Sequence, residues 1–402
     1  MSAIIIGAGH AGGSVAAMLR QNGYAESITL IGEEPHPPYQ RPPLSKGWLK
    51  GELGEDGLLL RPRAWYAEAG IDLRTSTHVV EIDRATKTLT LSSDEKLGYD
   101  TLVLATGARA RRLELPGSDL NGFLELRTIG DAEKIKAYFK PGFRLAVIGG
   151  GYVGLEVAAS ARNLGAEVDV LEREDRLLAR VAGPILSDFF RAQHERQGVR
   201  FHFGVEIRGF EGLDGHVSGV RLADGGMLHC DAVLVGIGAI PNDDLARRAG
   251  LICDNGVVVD AQARTSDPYI FAVGDLTHRP IPLYRRTLRL ESVPNALEQA
   301  RQAAAAISGQ PEPKPDTPWF WSDQYDLKLQ IAGLPFDVDQ VVTRGEPEDG
   351  KFAVFHLSGG RVQAVEAVNA PPEFMAGRQW LASRREVDPV RLADVTIPMK
   401  EV

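Results

Sequence analysis

One structural unit occurs twice in the chain, and this repeat constrains the fold more than any other sequence feature. The first copy has an apolar run at 3–6, a glycine loop at 7–12, a helical stretch and a second apolar run that ends at Glu33. The second copy repeats this order, with its glycine loop at 149–154 and its acidic end at Glu172. In both copies the acidic residue follows the loop by about 20 positions, the spacing of dinucleotide-binding folds.

The glycines of each loop have separate physical roles. Gly7 allows the tight turn, Gly9 lets a pyrophosphate approach the backbone, and Gly12 lets the helix pack against the strand. The helix N-terminus then offers free N–H groups to the phosphates, and the acidic residue accepts hydrogen bonds from a ribose. A single glycine loop is weak evidence because glycine turns are common, but two complete copies predict two dinucleotide sites. The corresponding glycines of the second copy are Gly149, Gly151 and Gly154.

The remaining chain predicts the domain organisation. We expect an α/β fold with two Rossmann-like dinucleotide-binding domains, the second inserted into the first, and a C-terminal α+β domain. A short apolar strand ends at Asp275, which by itself is more simply interpreted as a turn residue. Segments around 108–142 and at 241 bracket the second glycine unit, and prolines at 311, 313, 315 and 318 precede a C-terminal module of about 85 residues.

Composition excludes several classes of protein. The chain has 402 residues and a net charge of −9, which argues against nonspecific nucleic-acid binding. Two cysteines exclude a disulfide-stapled scaffold and a four-cysteine metal site, and we expect no bound metal. No secretory signal or apolar stretch of about 18 residues is present, so we expect a cytoplasmic protein that does not enter a membrane.

Four strings carry a resemblance to a known family. They are residues 42–46 (PPLSK), 149–156, 291–296 (ESVPNA) and 318–325 (PWFWSDQY). Together they resemble the FAD-dependent pyridine-nucleotide disulfide oxidoreductases, and within them the NAD(P)H:ferredoxin reductases of bacterial oxygenase systems. The resemblance covers essentially the whole chain. It implies a glutathione reductase-like arrangement, with the FAD-binding domain at 1–108 and 241–317, the NADH-binding domain at 109–240 and a C-terminal domain at 318–402.

The resemblance implies which residues bind FAD and NADH. By the resemblance, Asp275 would bind the ribityl chain. Ser292 as a cap, Pro294 in the first turn and Gly309 at the end predict a helix over 292–308. By the resemblance its N-terminus would point at the flavin pyrimidine ring, where reduction places negative charge. The implied FAD residues are Gly7, Gly9, His10, Ala11, Gly12, Glu33, Arg41, Lys46, Val80, Ala105, Thr106, Gly107, Arg127, Gly274, Asp275, Ser292, Val293 and Trp321. The implied NADH residues are Gly149, Gly151, Tyr152, Val153, Gly154, Glu156, Glu172 and Gly238.

Glu172 bears on the choice of nicotinamide cofactor. A carboxylate at this position accepts hydrogen bonds from two ribose hydroxyls and repels a 2′-phosphate. We therefore expect NADH to be preferred over NADPH.

The position of the cysteines separates subclasses within this superfamily. Its disulfide reductases and peroxidases carry a redox cysteine soon after the first dinucleotide unit, whereas this chain has none in residues 38–46. Cys230 and Cys253 fall elsewhere and are interpreted as ordinary packed residues. Electrons are therefore expected to pass directly from the flavin to an acceptor.

Lys46 and Glu156 are the predicted catalytic pair. From spacing alone, a solvated loop lysine and an acid in the first helical turn, favoured by the helix dipole, explain them equally well. By resemblance the two pair beside the flavin N5 edge, where they would modulate hydride transfer without acting as an obligatory acid and base.

The predicted partner is an acidic [2Fe–2S] ferredoxin that serves a P450 or Rieske oxygenase. Net negative charge does not prevent a local basic surface from binding such a partner. By resemblance, Arg301 and Trp321 face the partner. Lys328 is a third candidate, although the family's basic residue falls two positions later, at Gln330.

The sequence thus predicts an NADH:ferredoxin oxidoreductase, and two alternatives stay open. One is another reductase of this fold, acting on rubredoxin, monodehydroascorbate or oxygen. The other is a non-enzymatic NADH-binding flavoprotein of the apoptosis-inducing-factor type, which the compact C-terminal region and missing leader disfavour.

Overall fold

The computed structural model describes residues 2–402 and divides into two compact units. The first unit comprises the chain up to Gln40, Glu55–Arg109 and Ile240–Trp319. The second comprises Arg41–Gly54, Ala110–Ala239 and Phe320–Val402.

The secondary structure alternates strands and helices through both glycine-loop regions. The helices are α1 (His10–Gln21), α2 (Glu55–Leu58), α3 (Arg63–Glu68), α4 (Ile129–Tyr138), α5 (Tyr152–Asn163), α6 (Pro184–Arg196), α7 (Asp244–Arg248), α8 (Val293–Ile307), α9 (Pro371–Ser383) and α10 (Pro389–Ala393). Short 3₁₀ helices lie at Pro42–Ser45, Gly274–Leu276, Pro347–Asp349 and Met399–Glu401.

The strands are β1 (Ala3–Ile6), β2 (Ile28–Ile31), β3 (Ile71–Arg74), β4 (Val79–Asp83), β5 (Thr88–Leu91), β6 (Lys96–Gly98), β7 (Thr101–Leu104), β8 (Ala108–Ala110), β9 (Phe123–Leu124), β10 (Arg144–Ile148), β11 (Glu167–Glu172), β12 (Val199–Phe203), β13 (Ile207–Leu213), β14 (His216–Leu222), β15 (Met227–His229), β16 (Ala232–Val235), β17 (Ala239–Pro241), β18 (Val257–Val258), β19 (Ile270–Ala272), β20 (Thr277–Ile281), β21 (Arg286–Leu288), β22 (Trp319–Gln324), β23 (Leu327–Gly333), β24 (Gln340–Arg344), β25 (Phe352–Ser358) and β26 (Arg361–Val368).

The first unit is built on a parallel sheet of order β19-β7-β1-β2-β3. All four residues of β1 are buried, as expected for a strand covered on both faces. Helices α1 and α8 join the core through small residues such as Ala16, Ala300 and Ala304, which let the two helices pack closely.

The second unit contains a parallel sheet of order β12-β11-β10-β16-β9. Strands β10 and β11 pair from Arg144 with Glu167 to Ile148 with Leu171, which places the second glycine loop at the carboxyl end of β10. Ligands of α/β sheets gather at this edge.

The same unit includes the C-terminal sheet, of order β22-β23-β26-β25-β24, with antiparallel pairing along β23-β26-β25-β24. Helix α9 covers this sheet, and Phe374, Trp380 and Leu381 are its buried large residues. The predicted fold class, two Rossmann-like regions and a C-terminal α+β region, is confirmed. The predicted domain boundaries stay a prediction.

The expectation that Glu156 lies in the first turn of its helix is wrong. Helix α5 begins within the glycine loop, at Tyr152, so Glu156 falls in the second turn. The dipole at the helix N-terminus acts mainly within the first turn and does not account for this acid. Within residues 2–402, none of the helices has the length and apolar character needed to cross a membrane.

Candidate dinucleotide sites and the Lys46–Glu156 pair

The first glycine loop has the geometry that its sequence predicts. Gly7 has φ +111°, and its N–H donates to the Ile31 carbonyl at 2.8 Å, which fixes the turn at the end of β1. A Cβ on Gly12 would lie 2.0 Å from the Gly7 carbonyl oxygen. The third glycine is therefore required for the close packing of α1 against the loop.

Gly9 differs from Gly7 and Gly12 because it faces open space. A Cβ at Gly9 would meet no heavy atom within 4 Å. Gly9 caps α1 without a side-chain hydrogen bond, whereas Thr128 and Ser292 cap α4 and α8 through their hydroxyl oxygens. The first-turn N–H groups of α1 thus have room for an anionic ligand, and the loop fits a pyrophosphate.

The second loop repeats this arrangement in the second unit. Gly149 has φ +101°, and a Cβ on Gly154 would lie 2.5 Å from the Gly149 carbonyl oxygen. Gly151 again faces open space and caps α5 without a side-chain hydrogen bond. The geometry therefore supports one phosphate-binding loop in each unit.

His10 and Asp275 meet beside the first loop. The His10 Nδ1 atom is buried and has no hydrogen-bond partner among residues 2–402. Burial lowers the pKa of His10, and the nearby Asp275 carboxylate opposes that shift. Gly274, with φ +81°, donates its N–H to Gln299 Oε1 at 2.8 Å and holds the turn that carries Asp275. The orphaned Nδ1 is consistent with a polar ligand at this loop.

The two acidic residues near the ends of β2 and β11 have different surroundings. Glu33 has a side chain that is 78% exposed, and its carboxylate lies 3.4 Å from His78 Nδ1. Glu172 accepts hydrogen bonds from the N–H groups of Gly150 at 2.7 Å and Glu174 at 3.0 Å. These bonds hold the Glu172 carboxylate at the second loop.

The other predicted FAD residues of the first unit lie near strand ends and at one helix start. Thr106 follows β7. Its hydroxyl donates to the Asn242 carbonyl at 2.8 Å, and its backbone carbonyl accepts from the Asn242 side-chain amide at 2.9 Å. Gly107, with φ +65°, and the buried Ala105 flank it. Val80 lies on β4, Ser292 is the N-cap of α8 and Val293 is its first residue.

The predicted FAD and NADH residues of the second unit also lie in defined positions. Arg41 donates to the Arg127 carbonyl. Tyr152 packs edge-on against Phe320 with ring centroids 4.8 Å apart, and burial raises the pKa of its hydroxyl. Val153 is exposed at the start of α5. Gly238 has φ +104° and follows β16.

Lys46 and Glu156 form a buried ion pair in the second unit. The Lys46 ammonium lies 2.7 Å from Glu156 Oε2, with the two side chains 19% and 7% exposed. Two hydroxyls that the sequence reasoning missed complete the carboxylate's shell: Ser45 Oγ donates to Oε2 at 2.5 Å, and Ser322 Oγ donates to Oε1 at 2.6 Å. The interpretation of these two residues as unrelated surface charges is therefore excluded. Their signal was present, since Ser45 and Ser322 both lie in the strings that carry the resemblance.

The two cysteines are unsuited to thiolate chemistry. Burial raises the pKa of the Cys230 thiol to about 12, and Cys253 is shifted in the same direction. Both are free thiols. Within the described part of the chain, no group of three or more His, Cys, Asp or Glu side chains is placed to hold a metal ion.

The predicted partner-facing residues lie at several places. Arg301 on α8 forms an ion pair with Asp316 and is 41% exposed. Lys328 is exposed on β23, and Trp321 on β22 is half-buried.

Comparison with known proteins decides the family. Residues 1–300 match the pyridine nucleotide-disulphide oxidoreductase family, and residues 319–402 match the reductase C-terminal family. The chain belongs to the pyridine nucleotide-disulphide oxidoreductase family. It is 52% identical over 392 residues to a probable ferredoxin reductase, CtmF, of Castellaniella defragrans, covering 97% of this chain and 96% of that protein.

Two further comparisons extend the match. The chain is 43% identical to putidaredoxin reductase CamA of Pseudomonas putida, covering 99% of this chain and 96% of that protein. A solved structure of the covalent putidaredoxin reductase–putidaredoxin complex matches with a TM-score of 0.97 and 42% identity, covering 100% of this chain and 97% of that chain. The predicted ferredoxin-reductase-type oxidoreductase, with FAD and NAD(H) as cofactors, is confirmed.

Proposed function

We propose that the chain passes electrons from NADH through FAD to a [2Fe–2S] ferredoxin, which in turn serves a P450 or a Rieske oxygenase. Bound FAD supplies the chemistry that joins a two-electron donor to a one-electron acceptor. The observation that carries the proposal is the buried Lys46–Glu156 pair, in a chain that matches ferredoxin reductases along its whole length and has no low-pKa thiol.

The two glycine loops would divide the dinucleotides between them. Gly7, Gly9 and Gly12 would hold the FAD pyrophosphate, with Glu33 at the adenosine ribose and Asp275 at the ribityl chain. The α8 N-terminus, capped by its own serine, would direct its positive end toward the flavin ring system.

The second loop would take NADH, with Glu172 at the adenosine ribose. Two backbone N–H groups fix the Glu172 carboxylate, so a 2′-phosphate would meet a localised negative charge. This supports a preference for NADH over NADPH.

Lys46 and Glu156 would act at the flavin N5 edge. The carboxylate keeps the lysine ammonium in place, and the pair excludes water from the space that it fills. We assign it a modulating role because hydride transfer needs orientation more than an acid or a base.

By the resemblance, Arg301, Lys328 and Trp321 would each contact the electron acceptor. An exposed lysine supplies charge for an acidic partner, and an aromatic side chain supplies contact area. We also propose a cytoplasmic location.

Steady-state turnover with NADH and different acceptors tests the proposal. A [2Fe–2S] ferredoxin of the same organism should give a kcat/KM well above that with rubredoxin, a soluble dye or dioxygen. Equal or faster turnover with rubredoxin would favour the rubredoxin reductase alternative, and fast turnover with dioxygen alone would contradict a ferredoxin reductase.

A further inference from the structure

A continuous line of hydrogen bonds, buried along most of its length, starts at the Glu156 carboxylate oxygen that does not contact Lys46. Ser322 Oγ donates to Glu156 Oε1 at 2.6 Å, and Gln324 Nε2 donates to Ser322 Oγ at 3.1 Å. Gln324 Oε1 lies 2.8 Å from His194 Nε2, and the Tyr325 hydroxyl lies 3.1 Å from His194 Nδ1. Every atom in this line belongs to the second unit.

The identity of each group fixes the direction of the donors. With its amide nitrogen on Ser322, Gln324 presents its oxygen to His194, so His194 Nε2 carries the proton. Nδ1 is then the acceptor, and the Tyr325 hydroxyl donates to it. Ser322 has a single proton, and since it accepts from Gln324 it gives that proton to Glu156. All four donors therefore point along the line toward one carboxylate, an arrangement in which each bond polarises the next.

The burial of these groups indicates that their hydrogen bonds are required by the fold. His194, Ser322 and Gln324 are at most 1% exposed, and buried polar groups of this kind are destabilising unless every one is paired. Burial lowers the pKa of His194 to about 4, so the ring is neutral and keeps the tautomer that the line requires.

Tyr325, at the far end of the line, has a backbone conformation that is unusual for a tyrosine. Tyr325 has φ +56° in the two-residue connection between β22 and β23, where glycine or asparagine is normally favoured. Its ring packs against the His194 ring with centroids 5.0 Å apart. A bulky residue in a left-handed conformation points to a role for its side chain, here the hydroxyl on His194.

We propose that Ser322, Gln324 and His194 are positioning residues that hold the Glu156 carboxylate oriented toward Lys46. They touch Lys46 only through Glu156, and their alternate spacing on β22 places Ser322 and Gln324 on one face of that strand. This inference rests on the proposed role of the Lys46–Glu156 pair at the flavin. It assigns a role to Ser322 and Gln324 in the string at 318–325.

The pH dependence of flavin reduction by NADH tests this inference in the FAD-loaded protein. Ser322→Ala removes a hydrogen-bond donor from the Glu156 carboxylate and so disfavours its charged form. The acidic limb of the pH–rate profile for flavin reduction should therefore move to higher pH by about one unit. Gln324→Met should move it in the same direction by less, because its amide acts through Ser322. Lys46 faces the Glu156 carboxylate at one end of the line, and Arg162 acts on Tyr325 at the other end, where Tyr325 bonds His194.

A second readout is independent of turnover. The absorbance of the oxidised flavin, titrated against pH without NADH, should show the same upward shift in the two variants. The Kd for NADH should change by less than about twofold, since the positioning residues do not bind it.

Two controls make the result interpretable. Ser187→Ala removes another buried hydroxyl of the second unit, one that bonds Arg176 and a backbone carbonyl, and should leave both profiles unmoved. Ser322→Thr retains the hydroxyl donor and should restore the original profile. If Ser322→Ala does not fold, Gln324→Met still provides the test.

Glu156→Gln separates the role of the Lys46–Glu156 pair at the flavin from the role of the positioning residues. If it changes both profiles while Ser322→Ala and Gln324→Met change neither, the positioning line is refuted and the role of the ion pair stands. If Glu156→Gln itself changes neither profile, the pair does not act at the flavin. The proposed role of the pair and the proposed role of the positioning residues are then both refuted.

Discussion

Replacing Gly151 with alanine should separate NADH binding from folding and from FAD binding. Gly151 has φ −84° and ψ 175°, a conformation open to any residue, and its Cβ would meet no atom within 4 Å. Alanine at a helix N-cap in place of glycine lowers stability by at most about 1 kcal/mol. The folded protein should therefore accept Gly151→Ala.

The bound dinucleotide should not accept this methyl group. The proposed NADH pyrophosphate would approach the helix N-terminus through the open space at Gly151, so the added carbon would push the phosphate away from its N–H donors. Such overpacking costs about 1–3 kcal/mol. At about 1.4 kcal/mol per tenfold, the Kd for NADH should rise roughly 5- to 150-fold.

The assay is the dependence of the flavin reduction rate on NADH concentration, with FAD content measured from absorbance. Gly151→Ala should keep its FAD and its limiting rate while the Kd for NADH rises. Gly9→Ala is the matched control, because Gly9 faces the same open space in the first loop. It should fold, as judged by circular dichroism, and lose FAD. An unchanged Kd for NADH in Gly151→Ala, or loss of FAD from it, would refute the assignment of the loops.

Three further predictions concern cofactor choice, the thiols and acid stability. Glu172→Gln should lower the ratio of kcat/KM with NADH to kcat/KM with NADPH by about tenfold. One charge-assisted hydrogen bond of about 1.5 kcal/mol is lost, and the repulsion of a 2′-phosphate is removed. An unchanged ratio would refute the role of Glu172. The double variant Cys230→Ala, Cys253→Ala should keep ferredoxin reduction within about twofold, since thiols with raised pKa values carry no electrons; a large loss of turnover would show thiol chemistry. His194 is buried, and its pKa is about 4 in the folded chain against 6.5 when unfolded, so the unfolded state binds its proton first as pH falls. Stability should drop by roughly 3 kcal/mol between about pH 6.5 and 4, and urea midpoints should show this drop in the wild type and not in His194→Gln.

Local signals predicted the parts of the fold that local physics controls. Ser292, Pro294 and Gly309 predicted a helix over 292–308, and α8 spans Val293–Ile307 with Ser292 as its N-cap. The two glycine loops were equally predictable because a tight turn, a close approach and a helix start each demand a particular residue.

The surroundings of Glu156 were not predictable in the same way. Its hydroxyl donors, Ser45 and Ser322, are 111 and 166 positions away in the chain, and no periodicity relates residues at such distances. The sequence indicated that these strings matter, and the structure shows that they meet at one carboxylate. The start of α5 was misjudged because the sequence of a glycine loop leaves open which of its residues first adopts helical geometry.

The central claim is that NADH reduces a flavin that then reduces a one-electron iron–sulfur carrier. Anaerobic stopped-flow mixing of the FAD-loaded protein with NADH, followed by mixing with an oxidised [2Fe–2S] ferredoxin of the same organism, measures both halves. We predict that NADH bleaches the flavin absorbance within the turnover time and that the ferredoxin restores it, with two ferredoxins reduced per NADH. Failure of NADH to bleach the flavin, or a reduced flavin that ferredoxin cannot reoxidise, would contradict the account.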